Sequence, residues 1–212
     1  SAFGTGRALL PRLCACERWG PIERGAVSFG LGLVMLQSVS AILGAAGLYR
    51  TWIAAIVLLP GAAAALIRLG RLPWRSFAPT GRDAALLGAC LLAAGGGVIA
   101  SLAPIVYLDA LAAHAFLPDL WARAGRITLT PWSFAMQNMQ GAHALYVLAR
   151  LLGPGDAMQA VHGLCGVVAL SGVYALGSRI AAGSGAAGAE AHRAGLLAFL
   201  LASTFPMTVF LF

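Results

Sequence analysis

The stretch AALLGACLLAAGGGVIASLAPIVYL, residues 84–108, carries no charge and is followed at once by Asp109. About 20 apolar residues at roughly 1.5 Å rise carry a helix across a bilayer core, and this run exceeds that length. The Gly95-Gly96-Gly97 run and Pro104 weaken the last turns of such a helix. A carboxylate placed where a spanning helix leaves lipid is either a mark of the water boundary or a functional group. The chain around it decides between the two.

Four further apolar blocks stand beside this one: 25–48, 51–67, 157–178 and 194–212. Composition agrees, with 60% hydrophobic and 10% charged residues against the roughly 25% charged residues of a soluble domain. The fold class predicted is all-α, a polytopic transmembrane bundle of about five spanning helices. Only Tyr49 and Arg50 part the first two blocks, so a tight antiparallel hairpin is expected there, with a kink at Pro60. Residues 1–24 read as a cytoplasmic N-terminal segment, 25–83 as a transmembrane hairpin with its cytoplasmic linker, and 84–212 as a transmembrane module. The chain begins without Met and stops inside an apolar run, which reads as the N-terminal part of a longer protein.

The net charge of +7 comes from arginine alone. Nucleic acid is not implied as a partner, because the arginines flank the apolar blocks rather than forming one patch with stacking aromatics. Arg7, Arg12, Arg18 and Arg24 precede the first block, Arg68, Arg71, Arg75 and Arg82 follow the second, and Arg179 and Arg193 bracket the 179–193 loop. Arg50, Arg123, Arg126 and Arg150 are spread over the other side. The positive-inside rule therefore puts the N-terminus in the cytoplasm and Asp109 with the 105–156 loop outside. Cys14 and Cys16 make only a weak metal signal, and Cys90 and Cys165 lie inside apolar blocks, so no disulfide framework is expected.

The outward loop has helical pattern of its own. Pro118 and Asp119 suit a helix start, with Trp121 within the helix and Gly125 at its end. A second helix is predicted over 141–152, amphipathic and lying on the outer membrane surface. Leu145, Leu148 and Leu152 share one of its faces, and His143, Tyr146 and Arg150 share another.

With these residues in view, the segments PIVYLDALAAHAFLPDLWARAGRI, GAHALYVLARLLG and VHGLCGVVALSGVYALGSRI resemble the N-terminal region of bacterial GT-C glycosyltransferases. The likeness is to the family 39-like group, related to protein mannosyltransferases and lipid A aminoarabinose transferases. Asp109-Ala110-Leu111 matches the family's D-A-L start, and His114 its Y-H pair, with Ala113 in place of the usual Tyr. Leu117-Pro118, Trp121 and Gly125 fit the pattern that follows. Met139 and His143 stand where the family has Pro and Glu, so the second acidic metal ligand is missing.

The resemblance implies sugar transfer from a polyprenyl-phosphate donor to a glycan, lipid or protein acceptor at the outer face of a bacterial inner (plasma) membrane. It makes Asp109 the general base, with His114, His143 and Arg150 as substrate contacts. Partial burial at the interface suits a carboxylate for that role, and a leaving phosphate needs a cation such as Arg150. No cofactor is called for, and a divalent metal stays open. Two alternatives stand: a polytopic transporter, which needs ionisable groups near mid-bilayer, and a non-catalytic membrane assembly or binding protein. His162 could line the same cavity but suits a helix–helix hydrogen bond better, and His192 falls on the cytoplasmic side.

The topology is open to direct test. Single cysteines at Ser133 and Ser184, in a background lacking the native cysteines, are expected to differ toward an impermeant thiol reagent applied from outside. Ser133→Cys labels and Ser184→Cys does not; the opposite pattern inverts the orientation.

Overall fold

The computed structural model describes residues 20–69, 81–101, 115–129, 141–154 and 156–204, together with positions 2, 5 and 6. These residues form seven helices: α1 (Pro21–Ala45), α2 (Thr51–Leu69), α3 (Arg82–Ser101), α4 (Phe116–Ala124), α5 (Gly141–Leu152), α6 (Asp156–Gly183) and α7 (Gly188–Thr204). Three of them are long and apolar enough to cross a membrane: Ile22–Ala45 in α1, Asp83–Ala100 in α3 and Ala157–Gly183 in α6. The architecture is thus all-α and that of a multi-pass membrane protein. The apolar part of α2, Thr51–Ile67, is shorter and rises about 25 Å, below the ~30 Å hydrocarbon core. α7 starts before its apolar block, because Glu190, His192 and Arg193 fill its first two turns.

Local chemistry fixes both ends of α1. Pro21 opens α1 at a position where its missing N–H costs nothing, and the Glu23 carboxylate accepts the Gly20 N–H at 2.8 Å. At the other end the Gly47 N–H donates to the Gly44 carbonyl at 3.2 Å and the Leu48 N–H to that of Leu43 at 2.8 Å. This double closure satisfies carbonyls that the last turn leaves open. The tight antiparallel hairpin expected of α1 and α2 does not form, because α2 packs against α5 and not along α1. Pro60 sits inside α2, as expected.

Packing orders the rest. α6 and α7 form a close antiparallel pair, α3 lies against both, and α1 lies against α5 and α6. Gly195 makes the α6–α7 approach possible, since a Cβ there would overlap Ser178 Oγ and come within 2.8 Å of the Tyr174 ring. Cys90 of α3, Leu170 of α6, and Leu196 and Phe199 of α7 form one buried apolar cluster. Many large side chains on the outside are apolar, among them Ile42, Leu59, Leu92, Ile99, Ile180 and Leu201, the surface that lipid rather than water covers.

Charges collect at one end. Arg179, near the end of α6, forms a two-point ion pair with Glu23, and Arg193 Nε lies 2.6 Å from Asp83 Oδ1. Tyr174 Oη and His192 Nδ1 are 2.7 Å apart beside them. The starts of α1 and α3 and the α6–α7 turn therefore share an end, the same grouping that the arginine counts place on one side. The turn between α1 and α2, with α4 and α5, lies at the opposite end.

Gly195→Val should be costly through overpacking, by about 1–3 kcal/mol. The expected readout is a lower thermal midpoint of the detergent-solubilised protein, whereas Gly172→Ala, facing open space, should leave the midpoint nearly unchanged.

Candidate functional site

The end that carries the α1–α2 turn is built around Trp121. Its ring is fully buried with Tyr49, Leu117 and Val147, and Leu43, Leu120, Ile127 and Leu151 pack around that cluster. The indole N–H donates to the Thr128 carbonyl at 3.0 Å, so burial leaves no polar atom of the ring unsatisfied. Gly125, at φ +71°, ends α4 in the left-handed conformation and turns the chain back under the ring.

Two main-chain bonds then join this turn to the α1–α2 turn. The Tyr49 N–H donates to the Gly125 carbonyl at 3.0 Å, and the Ile127 N–H donates to the Gly44 carbonyl at 3.0 Å. Ser40 Oγ donates its single hydrogen to the Ala144 carbonyl, which ties α1 to α5. The Tyr49 phenol oxygen lies 3.4 Å from Ser40 Oγ; burial holds that phenol above its usual pKa.

α4 and α5 occupy the positions read from sequence, with α5 covering 141–152 and α4 closing at Gly125. Their faces differ from expectation. Leu148 is buried and Leu145 half-buried, but Leu152 is exposed, while His143 and Tyr146 of the supposed polar face are buried. The reason is that α5 packs against α1, α2, α4 and α6 at once, so it has protein on most of its circumference instead of membrane on one side and water on the other. His and Tyr tolerate such sites when their polar atoms find partners.

His143 is only 3% exposed and lies edge-on between Trp121 and Tyr146, with ring centroids 6.3 and 6.5 Å away. Tyr146 Oη is 2.6 Å from His162 Nδ1 on α6. Burial, reinforced by the neighbouring Cys165 thiol when ionised, pushes the Tyr146 phenol up to about 12, so it stays protonated at neutral pH. His143, Tyr146 and His162 thus form an aromatic row linking α5 to α6. His162 serves the helix–helix contact that its position implied.

Arg150 has partners already. Its Nε lies 2.8 Å from Asp119 Oδ1, and its Nη1 donates to the Gly153 carbonyl at 3.4 Å. Arg123 Nε lies 2.7 Å from Asp119 Oδ2. Asp119, expected only as a first-turn residue of α4, is also the acid that joins α4 to α5. Sequence reading missed this bridge because thirty-one positions separate the two residues and no helical periodicity links them. The predicted substrate contacts His143 and Arg150 lie on the same helix, one buried and one at the edge. Asp109 and His114 lie outside the described residues, as do Met139, Cys14 and Cys16. Among the described residues no group of three or more His, Cys, Asp or Glu is placed to hold a metal ion.

Comparisons with protein-family models, with curated proteins and with solved structures find no match.

The Tyr146 phenol sets a pH dependence. Its folded pKa lies above the ordinary tyrosine value of 10, so its contribution is complete below pH 10 and is lost as the pH rises toward 12. Tyr146→Phe should cost about 1 kcal/mol at neutral pH through the lost bond to His162 and should flatten the fall of the thermal midpoint above pH 10. A fall of equal depth in Tyr146→Phe would assign the loss to other groups.

Proposed function

We propose that this protein is a membrane glycosyltransferase that moves a sugar from a polyprenyl-phosphate donor to a glycan, lipid or protein acceptor at the outer face of a bacterial inner membrane. Asp109 acts as the general base. The bundle has about five spans, with α2 crossing as a short helix and the 194–212 block as the last, and the N-terminus is cytoplasmic. The observation that carries the reading is the layer of α4 and α5 at one end of the long apolar helices, beginning a few residues after Asp109. A lipid-linked donor keeps its tail in the bilayer, so its reactive carbon sits at that depth, and a base is needed there to take the acceptor proton. The D-A-L segment and the L-P-x-x-W-x-x-x-G pattern, whose Trp and Gly are the hub and the cap of α4, support it further.

His114, His143 and Arg150 are the substrate contacts in this reading. Arg150 meets a donor phosphate from its place beside Asp119, which limits its free charge, and His143 acts from within the aromatic row. Those two facts also favour a second reading, a non-catalytic membrane protein that uses the same layer for binding or assembly.

Asp109→Asn separates the two. It preserves shape and removes the base, so transfer from a labelled polyprenyl-phosphate sugar by the intact protein is expected to fall by about 10²–10⁴-fold, with donor binding retained. Full transfer by a folded Asp109→Asn protein removes the mechanism. Absence of transfer by the unaltered protein with all donors, alongside donor binding, supports the second reading.

A further inference from the structure

Four arginines, Arg50, Arg123, Arg126 and Arg150, belong to the end built around Trp121, and they divide into two kinds. Arg123 and Arg150 both converge on Asp119. Arg50 and Arg126 are exposed, and no described carboxylate pairs with either of them. The Arg50 guanidinium nevertheless has a defined place. It lies over Gly125, where an added Cβ would come 3.2 Å from its Cζ and 3.5 Å from its Nη2. The Tyr49–Gly125 main-chain bond, adjacent in sequence to both arginines, holds the two segments together. Arg126 follows Gly125 directly, so the two arginines stem from touching pieces of backbone.

The carbonyls at the end of α4 explain part of this, since a helix C-terminus attracts one cation. They do not neutralise two. An anion with several oxygens can meet two exposed arginines that stem from neighbouring backbone, and the planar fork of each guanidinium suits a phosphate. The surroundings indicate where that phosphate comes from. Trp52, one residue beyond the first position of α2, is 64% exposed, and Leu129, three residues after Arg126, is 83% exposed. Leu48 on the turn is exposed as well. Exposed Trp beside arginine marks the headgroup level of a bilayer, and exposed leucines beside it meet acyl chains.

We infer that Arg50 and Arg126 form a binding site for the phosphodiester headgroup of an anionic membrane phospholipid, with Trp52, Leu48 and Leu129 resting on its acyl chains. The site is separate from the proposed sugar transfer and needs no catalytic step. It accounts for an unbalanced arginine pair that topology alone does not require.

The intact protein, purified in a neutral detergent, is titrated with phosphatidylglycerol, and retained lipid is counted by native mass spectrometry. Arg50→Gln and Arg126→Gln are each expected to weaken the tightest lipid about fivefold, the worth of one arginine at a charged membrane surface. Arg123→Gln removes the same charge one turn away but from a residue paired with Asp119, and should change retention less than twofold. Arg50→Lys should fall between Arg50→Gln and the unaltered protein. Phosphatidylcholine should be retained weakly, and millimolar inorganic phosphate should leave the bound lipid in place. Undiminished retention by the folded double Gln variant overturns the site. So does a loss in Arg123→Gln equal to the others, which means diffuse charge, or displacement by inorganic phosphate at lipid-like concentrations, which means a free-anion site.

Discussion

The paired main-chain bonds between the α1–α2 turn and the α4 turn are the constraint on which this end of the molecule depends. A helix of nine residues such as α4 is too short to persist alone in water. It is held because Gly125 and Ile127 trade hydrogen bonds with Tyr49 and Gly44 while Trp121 fills the space between. Removal of either partner leaves buried peptide groups without bonds, a larger penalty than the bonds themselves contribute. The α1–α2 turn is thus more than a connection between two helices. It is the floor on which the α4–α5 layer rests, and α5 in turn supplies Val147 to the same core and Ala144 to Ser40.

Electrostatics divide the molecule differently. At the Glu23 end two arginines meet acids from other helices, Arg179 with Glu23 and Arg193 with Asp83. At the Trp121 end one acid, Asp119, serves two arginines, and two more go without one among the described residues. Exposed pairs of this kind contribute little stability individually. Their value is in registering helices against each other at the first end and in leaving positive charge at the second.

Much of the fold was legible because lipid imposes long apolar runs and leaves arginines at their ends. The break between α1 and α2 at Tyr49-Arg50, the closure of α4 at Gly125 and the span of α5 over 141–152 all follow from local signals: charge boundaries, a left-handed glycine, and leucine spacing. The facing of α5 was not legible. Periodicity reports which residues share a face but not what covers it, and here protein lies on the sides assigned to membrane and water. The Asp119–Arg150 bridge and the Tyr146–His162 contact were hidden for a related reason, since each joins residues on different helices. Of the candidate site, sequence supplied His143 and Arg150 as members of one helix, while their burial and partners came only from packing.

α6 is continuous for 28 residues, about 40 Å of helix, and is gripped at both extremities by other helices. His162 meets Tyr146 near its beginning, and Arg179 meets Glu23 near its end. A straight rod pinned at two points by side chains of defined direction can neither spin about its axis nor slide along it without breaking one contact. α6 thus holds α5 at one membrane face and α1 at the other to a single registry, fixed by the Tyr146–His162 and Arg179–Glu23 contacts.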